Sequence, residues 1–183
     1  MTHVAFLRAV NVGGKGVVKM TDVRAAFESA GCRSVRTFIA SGNVVFDAPA
    51  SRGALASAVK TRVHAAMREL LRGEPGICYR TVDDLEALVA ADPFGPLSAD
   101  RMVKLYVVFM DRAPAQVPLL PLHFPKEAIE ITAMRGTDVF VVSRRKPKGL
   151  MYGFPNACVE SLGVLATSRN WNTVKKLVQF ARR

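Results

Sequence analysis

Residues 35–47 hold two short runs rich in β-branched and aromatic residues, Val35–Ala40 and Val44–Asp47, with only Ser41-Gly42-Asn43 between them. Strands joined by so few residues pair antiparallel, and a small polar group with a glycine has the composition of a hairpin turn. What flanks the hairpin narrows the fold further. Upstream, Val4–Val10 reads as a buried strand, and Val23, Ala26, Phe27 and Ala30 fall on one face of a helix with Thr21 as its cap and Gly31 just past its end. Downstream, Leu55, Val59, Val63, Ala66, Met67 and Leu70 recur at helical spacing, and Ile77–Thr81 supplies another strand. The order is βαββαβ, which predicts an α+β, ferredoxin-like antiparallel sheet with two helices on one face.

A short helix over Asp83–Ala91 runs into Asp92-Pro93-Phe94-Gly95-Pro96, whose prolines and glycine mark a linker. This predicts an N-terminal half over 1–92 and a C-terminal half over 93–183. The second half is expected to repeat the order without repeating the letters. Met102–Met110 is a strongly apolar strand, and the proline-rich stretch Ala113–Pro125 has room for one short helix. Ala128–Met134 and Asp138–Ser143 form a hairpin around Arg135-Gly136-Thr137. After the basic run Arg144–Lys148 come a helix over Pro155–Leu162, a strand over Val164–Thr167 and a closing helix over Trp171–Arg182. The fold class is therefore two ferredoxin-like halves with extra helices, or one continuous sheet completed by both.

The first strand runs into Asn11-Val-Gly-Gly-Lys-Gly-Val-Val-Lys19. Gly13, Gly14 and Gly16 let backbone N–H groups converge on an anion. In a split βαβ unit this loop and the Ser41–Asn43 turn lie at the same end of the sheet. Arg8, Asn11, Gly13, Gly14, Lys15, Lys19, Ser41, Gly42 and Asn43 are thus the candidate ligand-binding residues, placed to surround a phosphate. The loop is not a P-loop, because no G-x-x-x-x-G-K-[ST] occurs and Val17 stands where a magnesium-binding hydroxyl is needed. Equally open is a structural reading, in which the glycines make a turn and the polar side chains satisfy buried backbone.

The charge balance points to partners. Lys and Arg number 26 against 15 Asp and Glu, a net +11. Residues 1–92 contribute 12 against 9, and residues 93–183 contribute 14 against 6. Such an excess favours a polyanion, nucleic acid above all, bound through the glycine-rich loop and the basic C-terminal half. The alternative is an enzyme acting on a small phosphorylated or nucleotide-like substrate, so the expected partner is nucleic acid or a phosphorylated small molecule. Cys32, Cys78 and Cys158 show no C-x-x-C spacing, and His3, His64 and His123 no H-x-x-x-H, so neither a disulfide framework nor a metal or other cofactor is expected. No apolar run has the length of a membrane span or a signal h-region, so a cytoplasmic location without membrane partners is expected. No acid–base constellation for catalysis can be read either: Cys32 lacks a histidine partner and Ser41 lacks a nucleophile elbow.

Three ordered segments carry a family resemblance. They are Leu7-Arg-Ala-Val-Asn-Val-Gly-Gly14 with Lys19-Met20, Val35-Arg-Thr-Phe-Ile-Ala-Ser-Gly-Asn-Val-Val-Phe46, and Ala166-Thr-Ser-Arg-Asn-Trp-Asn-Thr173 with Lys176-Leu177. Together they resemble the bacterial domain-of-unknown-function family 1697. The resemblance implies a compact α/β protein with duplicated ferredoxin-like halves and names no substrate. The chain departs from the family's usual Arg-Gly-Ile-Asn by carrying Ala9 and Val10, and Ala9 is expected to narrow any close approach that a glycine allows.

The last of these segments is a second candidate site. Arg169, Asn170, Trp171, Asn172 and Lys176 surround a helix start, where backbone N–H groups attract anions and a tryptophan can stack a base. The competing reading is that Trp171 anchors the last helix on the sheet and Asn170 caps it, since tryptophan is highly buried on average.

Overall fold

The computed structural model describes residues 1–11, 18–51, 53–145 and 153–183. Gly13, Gly14, Lys15 and Gly16 of the glycine loop and residues 146–148 of the basic run Arg144–Lys148 lie outside them. The chain forms two compact units, Met1–Ala87 with Leu177–Arg183, and Leu88–Lys176. The last residues therefore group with the first half of the sequence.

Unit 1 contains β1 (Thr2–Leu7), α1 (Met20–Ser29), β2 (Arg33–Phe38), β3 (Asn43–Asp47), the small hairpin β4 (Ala50–Ser51) and β5 (Ala54–Leu55), α2 (Ser57–Leu71), β6 (Ile77–Thr81) and the start of α3 (Val82–Ala90). Its four-stranded sheet has the order β2-β3-β1-β6, every neighbouring pair antiparallel. Register is fixed by Val4 opposite Val45 and Ala5 opposite Tyr79. The helices pack by simple periodicity: Val23 and Phe27 of α1, and Val59, Val63 and Met67 of α2, cover Ala5, Leu7, Val44 and Phe46.

Local signals explain where α1 begins and ends. Lys19 with extended backbone occupies the N-cap position, and Met20 is already helical, so Thr21 lies inside the helix instead of capping it. At the other end Gly31, at φ +87°, donates its N–H to Glu28 O and Cys32 donates to Phe27 O, a Schellman closure. The β4–β5 hairpin replaces the plain break expected at Pro49–Gly53.

Unit 2 contains a 3₁₀ turn (Gly95–Ala99), β7 (Val103–Met110), β8 (Leu122–Phe124), β9 (Ile129–Arg135), β10 (Asp138–Arg144), α4 (Asn156–Glu160), β11 (Ala166–Asn170) and the first part of α5 (Trp171–Ala181). The sheet order is β11-β7-β10-β9-β8, again antiparallel throughout. Its core joins Val108, Met110, Ile131, Val139 and Val141 to Val159 of α4. The helix expected within Ala113–Pro125 is absent: this stretch is irregular and ends in the edge strand β8, since closely spaced prolines remove helix donors and clash with preceding turns. The chain is thus α+β, with antiparallel sheets and five α-helices among the described residues.

Candidate functional site

Beyond β1 the chain is held from both sides. Leu7 donates its N–H to Gly42 O at 2.8 Å and Arg8 donates to Gly76 O at 2.8 Å, fixing this stretch beside the β2–β3 turn. Asn11 then acts as a clasp. Its Nδ2 donates to Val18 O at 2.9 Å and to Ala40 O at 3.2 Å, while its Oδ1 accepts the Val18 N–H at 2.8 Å. One side chain therefore ties together the two ends of segment 12–17 and fastens them to the turn. Buried Asn43 stiffens that turn by donating from Nδ2 to Phe38 O at 3.1 Å and to Ser41 Oγ at 3.2 Å.

The structure thus brings Arg8, Asn11, Ser41, Gly42 and Asn43 to one end of the unit 1 sheet, with Lys19 one residue beyond the clasped Val18. Arg8 and Lys19 are exposed there. The Asn11 and Asn43 amides are engaged with backbone and a hydroxyl, so they position this end, and the exposed charge comes from the cations. Cys32 stands at the opposite end of this sheet, before Arg33, which pairs with Asp47 and so lies at the Thr2 end; burial pushes its thiol up to about 11, against the smaller pull of Arg62, keeping it protonated.

The second candidate site lies in unit 2. β11 pairs antiparallel with β7, Asn170 opposite Tyr106, and α5 begins at the next residue. The beginning of β7 therefore lies beside the start of α5. An open cavity of about 460 Å³ occupies that place, lined by Ser98–Arg101, Val103–Leu105 and Asn170–Asn172. Asn170 Oδ1 accepts the Asn172 N–H at 3.0 Å, so Asn170 serves as the expected cap.

Trp171 is only 3% exposed and meets Phe94 edge-on, with ring centroids 5.4 Å apart. It is built into the unit 2 core, with Lys175 Nζ 5.6 Å from its ring centroid. Arg169 is also buried, donating from Nη1 to Thr167 Oγ1 and Ser168 O, both at 2.8 Å. Lys176 is exposed but does not line the cavity. Asn170, Trp171 and Asn172 thus come together around the cavity, and Arg169 and Lys176 stand apart from it.

Arg101 and Lys104 were not anticipated as site residues. Their only signal in the sequence is a pair of cations at the start of an otherwise apolar strand, and the β11–β7 register is what brings them to the start of α5. Among the described residues no group of His, Cys, Asp or Glu could hold a metal ion, and no helix is long and apolar enough to cross a membrane.

These features define an α+β chain whose four-stranded and five-stranded antiparallel sheets each have a polar candidate site at one end. Residues 1–140 match the family described as protein of unknown function (DUF1697), and the chain belongs to that family. No curated protein matches the sequence. Among solved structures, the conserved bacterial protein SP0830 from Streptococcus pneumoniae shares the fold at a TM-score of 0.63 and 17% identity, over 100% of this chain and 98% of that one.

Proposed function

We propose that the protein is a cytoplasmic binder of polyanions, nucleic acid first, using the loop end of unit 1. The observation that carries this reading is the Asn11 clasp, which fastens the ends of a segment of sequence Val-Gly-Gly-Lys-Gly-Val beside exposed Arg8 and Lys19. Exposed cations at one sheet end suit phosphate oxygens, and the net charge of +11 favours a polyanion over an isolated ion. We also read unit 1 as ferredoxin-like. Its order β2-β3-β1-β6, with α1 and α2 as crossovers and β4–β5 inserted, supports that topology. Unit 2 is read as a variant in which β7, β9, β10 and β11 keep the same order but the first crossover helix is replaced by the segment ending in β8.

The test is fluorescence anisotropy of a short labelled oligouridylate titrated with the full chain at several salt concentrations. If about five phosphates are engaged, log affinity falls against log salt with a slope of roughly −3.5. Replacing Arg8 and Lys19 by Ala makes the slope shallower by about 0.7 for each lost contact. Absence of binding at low salt sinks the reading, and binding unchanged in the double variant moves the site elsewhere.

A further inference from the structure

The β2–β3 turn carries a residue that neither its backbone nor the core asks for. Ile39 sits at φ +51°, in the left-handed region, where a β-branched side chain crowds the chain and glycine or asparagine does not. Seven described residues other than glycine have positive φ, and Ile39 is the one among them with a branched Cβ. Burial would offset that strain, but the side chain is 52% exposed. Ala9 and Asn11, left-handed at the same end of unit 1, have their own reasons. Ala9 has only a Cβ to accommodate, and Asn11 tolerates this backbone and closes the clasp on Val18 and Ala40.

Position ties Ile39 to the loop end. Asn11 Nδ2 donates to the carbonyl of Ala40, the next residue in the chain, and Leu7 donates its N–H to Gly42 O. Residues 39–42 therefore stand beside the stretch that carries exposed Arg8. The Asn43 bonds to Phe38 O and Ser41 Oγ stiffen the turn, so little ordering is left to be done when the exposed isoleucine meets a partner. Strained backbone of this kind collects at ligand clamps, where the surrounding structure holds a conformation that stability alone opposes. An aliphatic side chain beside cations suits a ligand that carries charge and apolar faces along one chain. Single-stranded nucleic acid has both: phosphates for the cations, and unstacked bases whose faces pack on apolar side chains. In a duplex those faces are hidden unless the steps are wedged apart. We propose that Ile39 packs against an unpaired base of a bound single strand, adding base contact to a site otherwise set by charge. This contact rests on polyanion binding at the same end of unit 1.

The experiment compares a labelled oligouridylate with an abasic ribose-phosphate strand of the same length, by fluorescence anisotropy on the full chain. The unaltered protein should bind oligouridylate about fivefold more tightly or better, the lower end of what one base contact supplies. Ile39→Asn installs a residue that accepts left-handed backbone, so the thermal midpoint should not fall. It should nevertheless bring oligouridylate down to the affinity of the abasic strand. Ile39→Phe, apolar and able to stack, should keep the preference. No charge changes in either variant, so the dependence of affinity on salt should stay as it was. Failure of both strands to bind at low salt removes the polyanion reading and this contact with it. Equal affinity of the two strands for the unaltered protein leaves polyanion binding standing and overturns the contact. A preference that survives Ile39→Asn overturns it too, and a lowered midpoint with binding unchanged would mark the isoleucine as purely structural.

Discussion

A Cβ placed on Gly42 would stand 2.9 Å from the Cβ of Leu7 and 3.4 Å from that of Val10, at a residue whose φ is +76°. Two independent costs meet there: left-handed backbone, about 1–2 kcal/mol, and overpacking, about 1–3 kcal/mol. Gly42→Ala is therefore expected to destabilise the protein by about 2–5 kcal/mol in a denaturant melt, and a loss below about 0.5 kcal/mol would refute this account. Ala9 shows the same physics without a glycine. It adopts φ +56° where the resemblance has glycine, so that family position answers to backbone conformation as much as to close approach. His3 makes a different prediction. It is 1% exposed, and neither ring nitrogen has a well-aligned partner. Burial holds its pKa below the ordinary 6.5, helped by the terminal ammonium and Lys60 and opposed by the Ala48 carbonyl and Asp47. His64 is lowered too, again mainly by burial. The unfolded chain therefore takes up these protons first, and stability falls as pH drops from about 6.5 toward the folded values, by at most about 1.4 kcal/mol per unit for each histidine. His3→Gln is expected to flatten part of that acid limb, and urea midpoints measured from pH 7 to pH 5 check it.

Elements whose pattern repeats locally were legible in the sequence; those set by tertiary context were not. β6 and the centres of α1 and α2 follow from apolar spacing alone, and Gly31 announced its helix end through a requirement only glycine meets cheaply. Boundaries slipped where pairing decides them. β1 ends at Leu7 although Val10 is just as buried, because the chain turns through Ala9 and Asn11 at positive φ to meet the β2–β3 turn. β11 reaches Asn170 and passes straight into α5, because Arg169 and Asn170 pair with Val107 and Tyr106 on β7. The adjacency of Asn11 to the Ser41–Asn43 turn could be inferred from the split βαβ order. The Arg101 and Lys104 wall could not, since no local pattern links residue 104 to residue 170 before the strand order is known. Trp171 shows the same limit: its position at a helix start is local, but its burial against Phe94 is not.

At the scale of the whole chain, the segment Leu177–Arg183 returns to unit 1 after an intervening unit of its own. Leu177 is fully buried, and Val178 and Ala181 nearly so. Arg36 of β2 donates from Nη1 to Phe180 O at 3.2 Å and from Nη2 to Ala181 O at 3.0 Å, capping the carbonyl end of α5. Its guanidinium lies 5.0 Å from the Phe180 ring centroid, and Phe38 meets the same ring at 5.1 Å. Arg182 pairs with Asp83 at 2.6 Å and with Glu86, both exposed partners that add little. The apolar contacts dominate, because burying Leu177 and Val178 contributes on the order of 3–5 kcal/mol, a large share of the stability of an ordinary domain. A chain ending at Lys176 should therefore lose stability in unit 1 first, although every residue removed is far from it in sequence. Hydrogen exchange reads this directly. Amide protection in β2 and β3 is expected to fall much further than in β9 and β10, and equal loss in both sheets, or none in β2, would show that the returning segment does not hold unit 1 together.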